Sequence, residues 1–426
     1  MRSLKSFATL FFALCLLPFA FLSLPFAFLS LPFAFIDAAE PLTFSVAYRD
    51  ILTNTYEIKA ADAEVMAKEA DRWQAGAYIN PALLVNLSSI GNTQGGTENQ
   101  LFVGVTQIME LGGKRDARLR VAAAGQCASQ WNLEILKNTL HTELLHAFIT
   151  LAAAQERTAL AREQQQLAEQ TLGAISTKAL SGKTSGMEER KAHIVFQNDK
   201  LAYLKQLGNM RKARKRLIAL WDSHPPIFET VDFPLYHISP PPPLEALKEK
   251  VHGNPELILT EAEVSRASEL VALERSRRVP DIAIQVGVTT DKFVEQPALN
   301  IGFGMPLPFC DQNAGNISRA SYEQLQAVYH QMDRYSELQN ALDILYQEWV
   351  WAYEQAQVLR ELILPAVQEA FQLAQESYNE GKTDYLNLLD ARSTLFNIQQ
   401  QYLEILEEYH HKRADIFKIT AIYTAR

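Results

Sequence analysis

The chain has 426 residues, 48% hydrophobic and 21% charged, with a formal net charge of −9. That is ample material for a core and argues against nucleic acid as a partner. The three cysteines, Cys15, Cys127 and Cys310, lie in different parts of the chain, so no disulfide framework is expected.

Residues 1–39 read as an export signal. Arg2 and Lys5 precede an apolar run in which the heptapeptide "LPFAFLS" recurs between residues 17 and 35, and Ala38-Ala39 are small enough for a cleavage point. A retained anchor is the alternative, because roughly 20 apolar residues suffice to span a bilayer. Three prolines at seven-residue spacing would kink such a helix. Leu14 is too large a neighbour for lipid attachment at Cys15. Without this leader, which holds Arg2, Lys5 and Asp37, 38 basic and 48 acidic residues remain, about −10.

Four short segments alternate in the two-residue period of strands. In residues 82–90, Leu83, Val85 and Leu87 oppose Asn86 and Ser88, while 100–108 alternates less cleanly. In 281–290, Ile282, Ile284, Val286 and Val288 oppose Ala283, Gln285, Gly287 and Thr289. In 299–307, Leu299, Ile301, Phe303 and Met305 oppose Asn300, Gly302 and Gly304. Each pair is joined by a polar loop, "GNTQGGTEN" or "DKFVEQPA". A lipid-facing surface with a watery lumen behind it fits this pattern. An open sheet cannot sit in lipid with unpaired edges, so four strands per chain require further copies, and three chains would supply twelve strands.

Between the strands the text turns helical. No proline occurs between Pro81 and Pro225, between Pro308 and Pro365, or after Pro365. From Lys114 to about Lys178, Ala, Leu, Gln, Glu and Arg dominate, and some 65 residues would make a rod about 100 Å long. A second rod is expected over residues 312–379. Residues 224–250 are a proline-dense linker.

The two rods end alike. "LSGKTSGMEERKA" at 180–192 and "NEGKTDYLNLLDA" at 379–391 share Gly-Lys-Thr, at Gly182, Lys183, Thr184 and Gly381, Lys382, Thr383. A phosphate-binding loop needs a glycine five positions earlier and a strand leading in. Those positions hold Thr177 and Glu376, and both lead-ins look helical, so an ATPase is disfavoured. The offset, 381 against 182, is 199. Asp62-Ala63-Glu64-Val65 falls on Glu261-Ala262-Glu263-Val264 at the same offset, and Pro81 on Pro280. The chain therefore reads as two copies of one unit, 40–223 and 251–426, on either side of the linker.

The sequence holds no Ser-His-Asp, paired-carboxylate or glycine-rich arrangement that favours an enzyme. His141 and His146 are five apart, off the spacing of one helical face, and His410 and His411 point to different sides. No metal site and no cofactor are expected.

"NPALLVNL" (80–87), "VGVTQIMELGGKRDARLRVA" (103–122), "VPDIAIQVGV" (279–288) and "IGFGMPLPFCDQNAGNISRA" (301–320) carry a resemblance. So does "LILPAVQEAFQLAQESYNEGKTDYLNLLDARSTL" (362–395). The sequence resembles the TolC family of trimeric outer-membrane efflux proteins, and most its cobalt–zinc–cadmium branch, from about Leu42 to Ile422. The opening "LTFSVAYRDILTNTYEIKAA" departs from the family in holding less alanine and leucine.

The resemblance implies a mainly α chain with a membrane β-barrel part: long helical hairpins forming a periplasmic tunnel below a trimeric twelve-stranded barrel. It implies a passive duct in the outer membrane, served by a periplasmic adaptor and an inner-membrane pump of the RND type. Divalent heavy-metal cations are the expected cargo. A duct for drugs or organic compounds, and a soluble periplasmic scaffold, are the alternatives. Gly182, Lys183, Thr184, Gly381, Lys382, Thr383 and Asp384 would form the closed end and touch the adaptor. Asp390 falls where carboxylates, one per chain, ring the constriction; the equivalent in the first copy is Lys191. Solvated helix surface is the other reading of Asp390, and Asp384 is also a candidate N-cap. Gly112, Gly113, Asp311, Asn313, Gly315 and Asn316 would mark strand-to-helix junctions.

Overall fold

The computed structural model describes residues 41–88, 100–182, 184–223, 225–291 and 296–421. The leader and the first inter-strand loop lie outside the described residues, as does Lys183. Elements follow in the order β1 (Leu42–Thr43), α1 (Phe44–Asn54), α2 (Tyr56–Ala75), β2 (Ala82–Ser88), β3 (Gln100–Met109), α3 (Lys114–Leu180), α4 (Gly186–Ile218) and β4 (Val231–Asp232). They continue with α5 (Leu244–Val251), α6 (Pro255–Ser276), β5 (Ile282–Asp291), β6 (Ala298–Gly304), α7 (Ala314–Val358), a π-helical turn (Leu359–Ile363), α8 (Leu364–Asn379) and α9 (Tyr385–Thr420).

The fold is mostly helical, and α3 is the longest element. At 1.5 Å per residue its 67 residues extend about 100 Å. Its counterpart is the composite of α7, the π turn and α8 over residues 314–379. Pro365, inside that expected rod, explains why it is composite. Proline lacks the N–H of the helical ladder, and its ring collides with the carbonyl four residues back. The wider π turn over Leu359–Ile363 re-spaces the ladder just ahead of Pro365, which lies in the first turn of α8.

Single helices this long bury little, so the rods depend on cross-packing. Phe228, Val231 and Trp221 cover Leu144, Phe148, Leu151 and Leu217 of α3 and α4, together with Ala47 and Ile51 of α1. Leu247 and Val251 pack with Leu338, Leu342 and Trp349 of α7 and with Tyr409 and Ile416 of α9. The proline-rich linker thus supplies core on both sides. A two-residue parallel pairing of β1 with β4, Leu42 to Val231 and Thr43 to Asp232, fastens the chain's opening to that linker.

The other sheet is four-stranded, antiparallel, in the order β2-β3-β5-β6. Leu83 pairs with Val105, Val105 with Val286, and Val286 with Ile301, so one apolar row crosses all four strands. On the opposite face the Phe102 ring lies over Gly104 and Gly287, where an added Cβ would meet it at 2.5 Å. This explains the weaker alternation of the second strand: an aromatic residue occupies the polar face because two glycines make room for it. Among the described residues, no helix is long and apolar enough to cross a membrane.

His410 of α9 is buried in this framework; its Nε2–H donates to the Leu235 carbonyl at 2.9 Å, tying α9 to the linker. Burial lowers its pKa to about 4; the Leu235 carbonyl opposes this, and Arg413, His411 and His237 add to it. Above pH 6.5 the ring is neutral in folded and unfolded chains, and the contact contributes fully. Between about 6.5 and 4 only the unfolded chain takes up the proton, so stability falls, by roughly 3 kcal/mol in all. The thermal midpoint should therefore drop from pH 7 to pH 4.5, and less steeply in His410→Gln; equal slopes would refute this.

Candidate functional site

The reversals that end the two rods lie side by side. Ile175 of α3, Ala192 of α4, Tyr378 of α8, and Tyr385 and Leu388 of α9 form one small buried cluster. The Lys178 ammonium lies 4.3 Å from the centre of the Tyr378 ring, a cation–π contact between α3 and α8. The tips of all four helices are therefore held as one piece.

Each reversal uses left-handed backbone at its glycine. Gly182 has φ +71° and Gly381 φ +74°, and no atom lies within 4 Å of an added Cβ at either. The requirement is conformational, not steric. At the second turn the Gly381 N–H donates to Tyr378 O at 3.1 Å and the Lys382 N–H to Ser377 O at 2.8 Å. This is a Schellman stop, which satisfies the last carbonyls of α8. Lys382 pairs with Glu380 at 2.5 Å.

Asp384 is the N-cap of α9, accepting from the Asn387 N–H at 3.3 Å. In the first turn that position is Ser185, which caps α4 by accepting from Glu188 N–H at 3.3 Å. Thr184 instead bonds the Glu188 carboxylate through its hydroxyl. Ser185 was missed by sequence reasoning, although "SGME" carries the Ser-x-x-Glu capping signature. Thr383 is half-buried, and its hydroxyl has no partner. Asp390 lies in the second turn of α9 with its side chain exposed; its backbone carbonyl accepts from Thr394.

Arg392 gave no sequence signal. It is buried between three rods, with its guanidinium on the Asp199 carboxylate of α4 and on Gln164 O of α3 at 2.7 Å. Burial pushes the Asp199 carboxyl above its ordinary range, while hydrogen bonding and charge from Arg392 pull the other way. This pair fixes the helix bearing Asp390 to the other hairpin.

The strand-to-helix joints sit at the opposite end of the rods. Gly112 (φ +72°) is constrained twice, since an added Cβ would meet Val279 Cβ at 2.8 Å and Ser276 O at 2.9 Å. Gly113 (φ +71°) is the N-cap of α3. Lys114 pairs with Asp281 at 2.6 Å, and the same carboxylate accepts from Leu111 N–H at 3.1 Å. Asn313 (φ +58°) opens α7 without glycine. Its N–H donates to Asp311 at 2.8 Å, and its amide donates to the Glu274 carbonyl and carboxylate, both at 2.9 Å. Asn316 bonds the Asn313 amide oxygen at 2.6 Å. Gly315 has open space around it, and its φ is not left-handed.

Removing Arg392 alone strands a buried carboxylate. Arg392→Leu should therefore cost about 3–5 kcal/mol, while Asp199→Leu with Arg392→Leu recovers most of it. Thermal unfolding of the detergent-solubilised protein measures this; a single variant as stable as the double would contradict it.

The sequence profile of the outer membrane efflux proteins matches residues 47–223 and again 246–421. The chain is 28% identical to the cobalt-zinc-cadmium resistance protein CzcC of Cupriavidus metallidurans, over 90% of this chain and 91% of that one. It is 27% identical to the nickel and cobalt resistance protein CnrC of the same organism, over 70% of each. The fold is similar to that of CusC (TM-score 0.72, 17% identity, 90% of this chain and 92% of the other). It is also similar to the Neisseria gonorrhoeae MtrE outer membrane channel (TM-score 0.70, 18% identity, 88% of each). With both halves matched, the chain belongs to the outer membrane efflux protein family.

Proposed function

We propose that three copies of this chain form the outer-membrane duct of a tripartite exporter for divalent heavy-metal cations. The observation that carries the duct is the sheet. Leu83, Val85, Leu87, Leu101, Val103, Val105, Ile284, Val286, Val288, Leu299, Ile301 and Phe303 share one face, and all are exposed, Phe303 at 88%. Polar and glycine positions dominate the other face. Among the described residues, the outer edges of β2 and β6 pair with no strand. In lipid such edges must close, and three sheets of four give a twelve-stranded barrel. Ten-residue strands extend about 34 Å, which at a 40° tilt spans roughly the apolar band of an outer membrane.

The rods support the same trimer. α3 packs on α4 and α9, and α9 on α7 and α8, which leaves α4 and the α7–α8 rod at the lateral edges. Exposed apolar residues recur there at heptad spacing: Met187, Ile194 and Leu201 on α4, and Ile344, Trp351 and Val358 on α7. That is the pattern of a helical seam. The charges are complementary. α4 carries Arg211, Lys212, Arg214, Lys215 and Arg216 without an intervening acid, whereas Glu354, Glu361 and Glu369 are exposed on the other edge. Twelve helices from three chains would then continue the barrel as a tunnel into the periplasm. Recurrence of element boundaries at one spacing, Gly182 and Gly381 or Ser185 and Asp384, supports two copies of one unit, 40–223 and 251–426, flanking the linker at 224–250.

The joined tips would form the periplasmic mouth and meet the adaptor through Gly182, Lys183, Thr184, Gly381, Lys382, Thr383 and Asp384. The strand-to-helix joints, with Gly112, Gly113, Asp311, Asn313, Gly315 and Asn316, would hand the barrel over to the tunnel. Three Asp390 carboxylates would ring the mouth, where like charges in a narrow pore favour cation entry. The metal cargo is supported by the resistance proteins that the chain resembles. An inner-membrane pump of the RND type would energise the transport.

Two measurements test this reading. Deleting the gene should raise sensitivity to Co2+, Zn2+ and Cd2+ and leave detergents and dyes unchanged; the reverse pattern would replace metals with organic cargo. In planar bilayers the purified trimer should be cation-selective, and Asp390→Asn should lower that selectivity several-fold. An unchanged ratio would return Asp390 to solvated helix surface.

A further inference from the structure

His146 of α3 and His411 of α9 are 265 positions apart, yet their Nδ1 atoms are in contact across the seam between the two rods. The rings lie 15° from parallel with centroids 4.6 Å apart. His146 Nε2 is 2.7 Å from the Asp415 carboxylate. His411 Nε2 is 3.3 Å from the Thr150 hydroxyl and 3.6 Å from the Glu407 carboxylate. His146 Nε2, on the Asp415 carboxylate, carries that ring's proton and leaves its lone pair at Nδ1. His411 meets it either with an Nδ1–H, its Nε2 accepting from Thr150, or with a second lone pair, and in the second tautomer a positive centre is needed between the two nitrogens.

We propose that His146 and His411 form a two-nitrogen binding site for a divalent transition-metal cation that clips α3 to α9. Imidazole nitrogen suits Zn2+, Ni2+ and Co2+. Metal-bound histidines ordinarily give their other N–H to a carboxylate, as His146 does to Asp415. The surrounding charge favours a cation. Arg157 neutralises Glu407 at 2.6 Å, which leaves the Asp415 carboxylate in excess. Both rings are partly exposed, His146 at 30% and His411 at 24%, so a hydrated ion can enter. Among the described residues, no group of three or more His, Cys, Asp or Glu is placed to hold a metal. Water therefore completes the coordination. Metal–nitrogen bonds of about 2.0–2.1 Å put two ligand nitrogens of a tetrahedral ion roughly 3.3 Å apart, so the rings part slightly on binding. A single shared proton is the competing occupant.

The test titrates the detergent-solubilised full-length oligomer with Zn2+ alone at pH 7.5 by calorimetry. One Zn2+ per chain is expected. Affinity should fall at least tenfold in His146→Ala and in His411→Ala, fall less in Asp415→Asn, and hold in His193→Ala, a surface change. Diethylpyrocarbonate labelling of the unaltered protein gives a second readout that needs no variant. Zn2+ should protect His146 and His411 but not His193. No Zn2+ binding, affinity unchanged from the unaltered protein in both histidine variants, or equal labelling with and without Zn2+ would overturn the site and leave a shared proton. Loss of this site would leave the export reading standing, because transport is scored separately.

Discussion

A backbone amide in hydrocarbon must find a partner, and this requirement organises the molecule more than any single side chain. The sheet from β2 to β6 satisfies it internally on three ladders and, among the described residues, leaves two open edges. Its aliphatic face is equally unsuited to water. In the proposed trimer both deficits would be met by neighbouring copies. The sheet would then be a segment of a ring, and the helices below would leave it at the radius and angle that the ring imposes. Gly112, Gly113 and Asn313, in left-handed backbone at the joints, turn the chain from strand to rod within a few residues.

The rods face the opposite difficulty. Their backbone is self-satisfied, but a lone helix about 100 Å long has too little buried surface to hold a direction. Three devices supply it. The linker contributes Phe228, Val231 and Leu247 to cores at mid-length. The Arg392–Asp199 pair locks one hairpin to the other near the tips. The aromatic cluster around Tyr378 and Tyr385 then ties the four ends together. Apolar packing supplies most of the stability, and the buried ion pair fixes the register, since a guanidinium without its carboxylate is costly.

Much of this was legible because it rests on local rules. Alternation marks the four strands, the absence of proline marks the rods, and the 199-residue offset pairs Gly182 with Gly381, both in left-handed backbone. What stayed hidden is tertiary. Nothing local marks Asp199 as the partner of Arg392, or His146 as the neighbour of His411, because helix-face spacing only reports residues on one helix. The Phe102 ring over Gly104 and Gly287 blurred the second strand's alternation for the same reason: the glycine that accommodates it lies partly on another strand. The π turn ahead of Pro365 was invisible because proline signals only that a ladder is interrupted, not how the interruption is absorbed.

The shared cluster at the tips also works as a ruler. Two rods, 114–180 and 314–379, leave β3 and β6, which flank β5 in the sheet, and must arrive at the same height for Ile175 to meet Tyr378 and Tyr385. Removing one heptad from a single rod would retract its turn by about 10 Å and pull it off its neighbours. Length in this lineage is therefore free to drift only when both hairpins gain or lose together, so insertions should accumulate in matched pairs or in the linker.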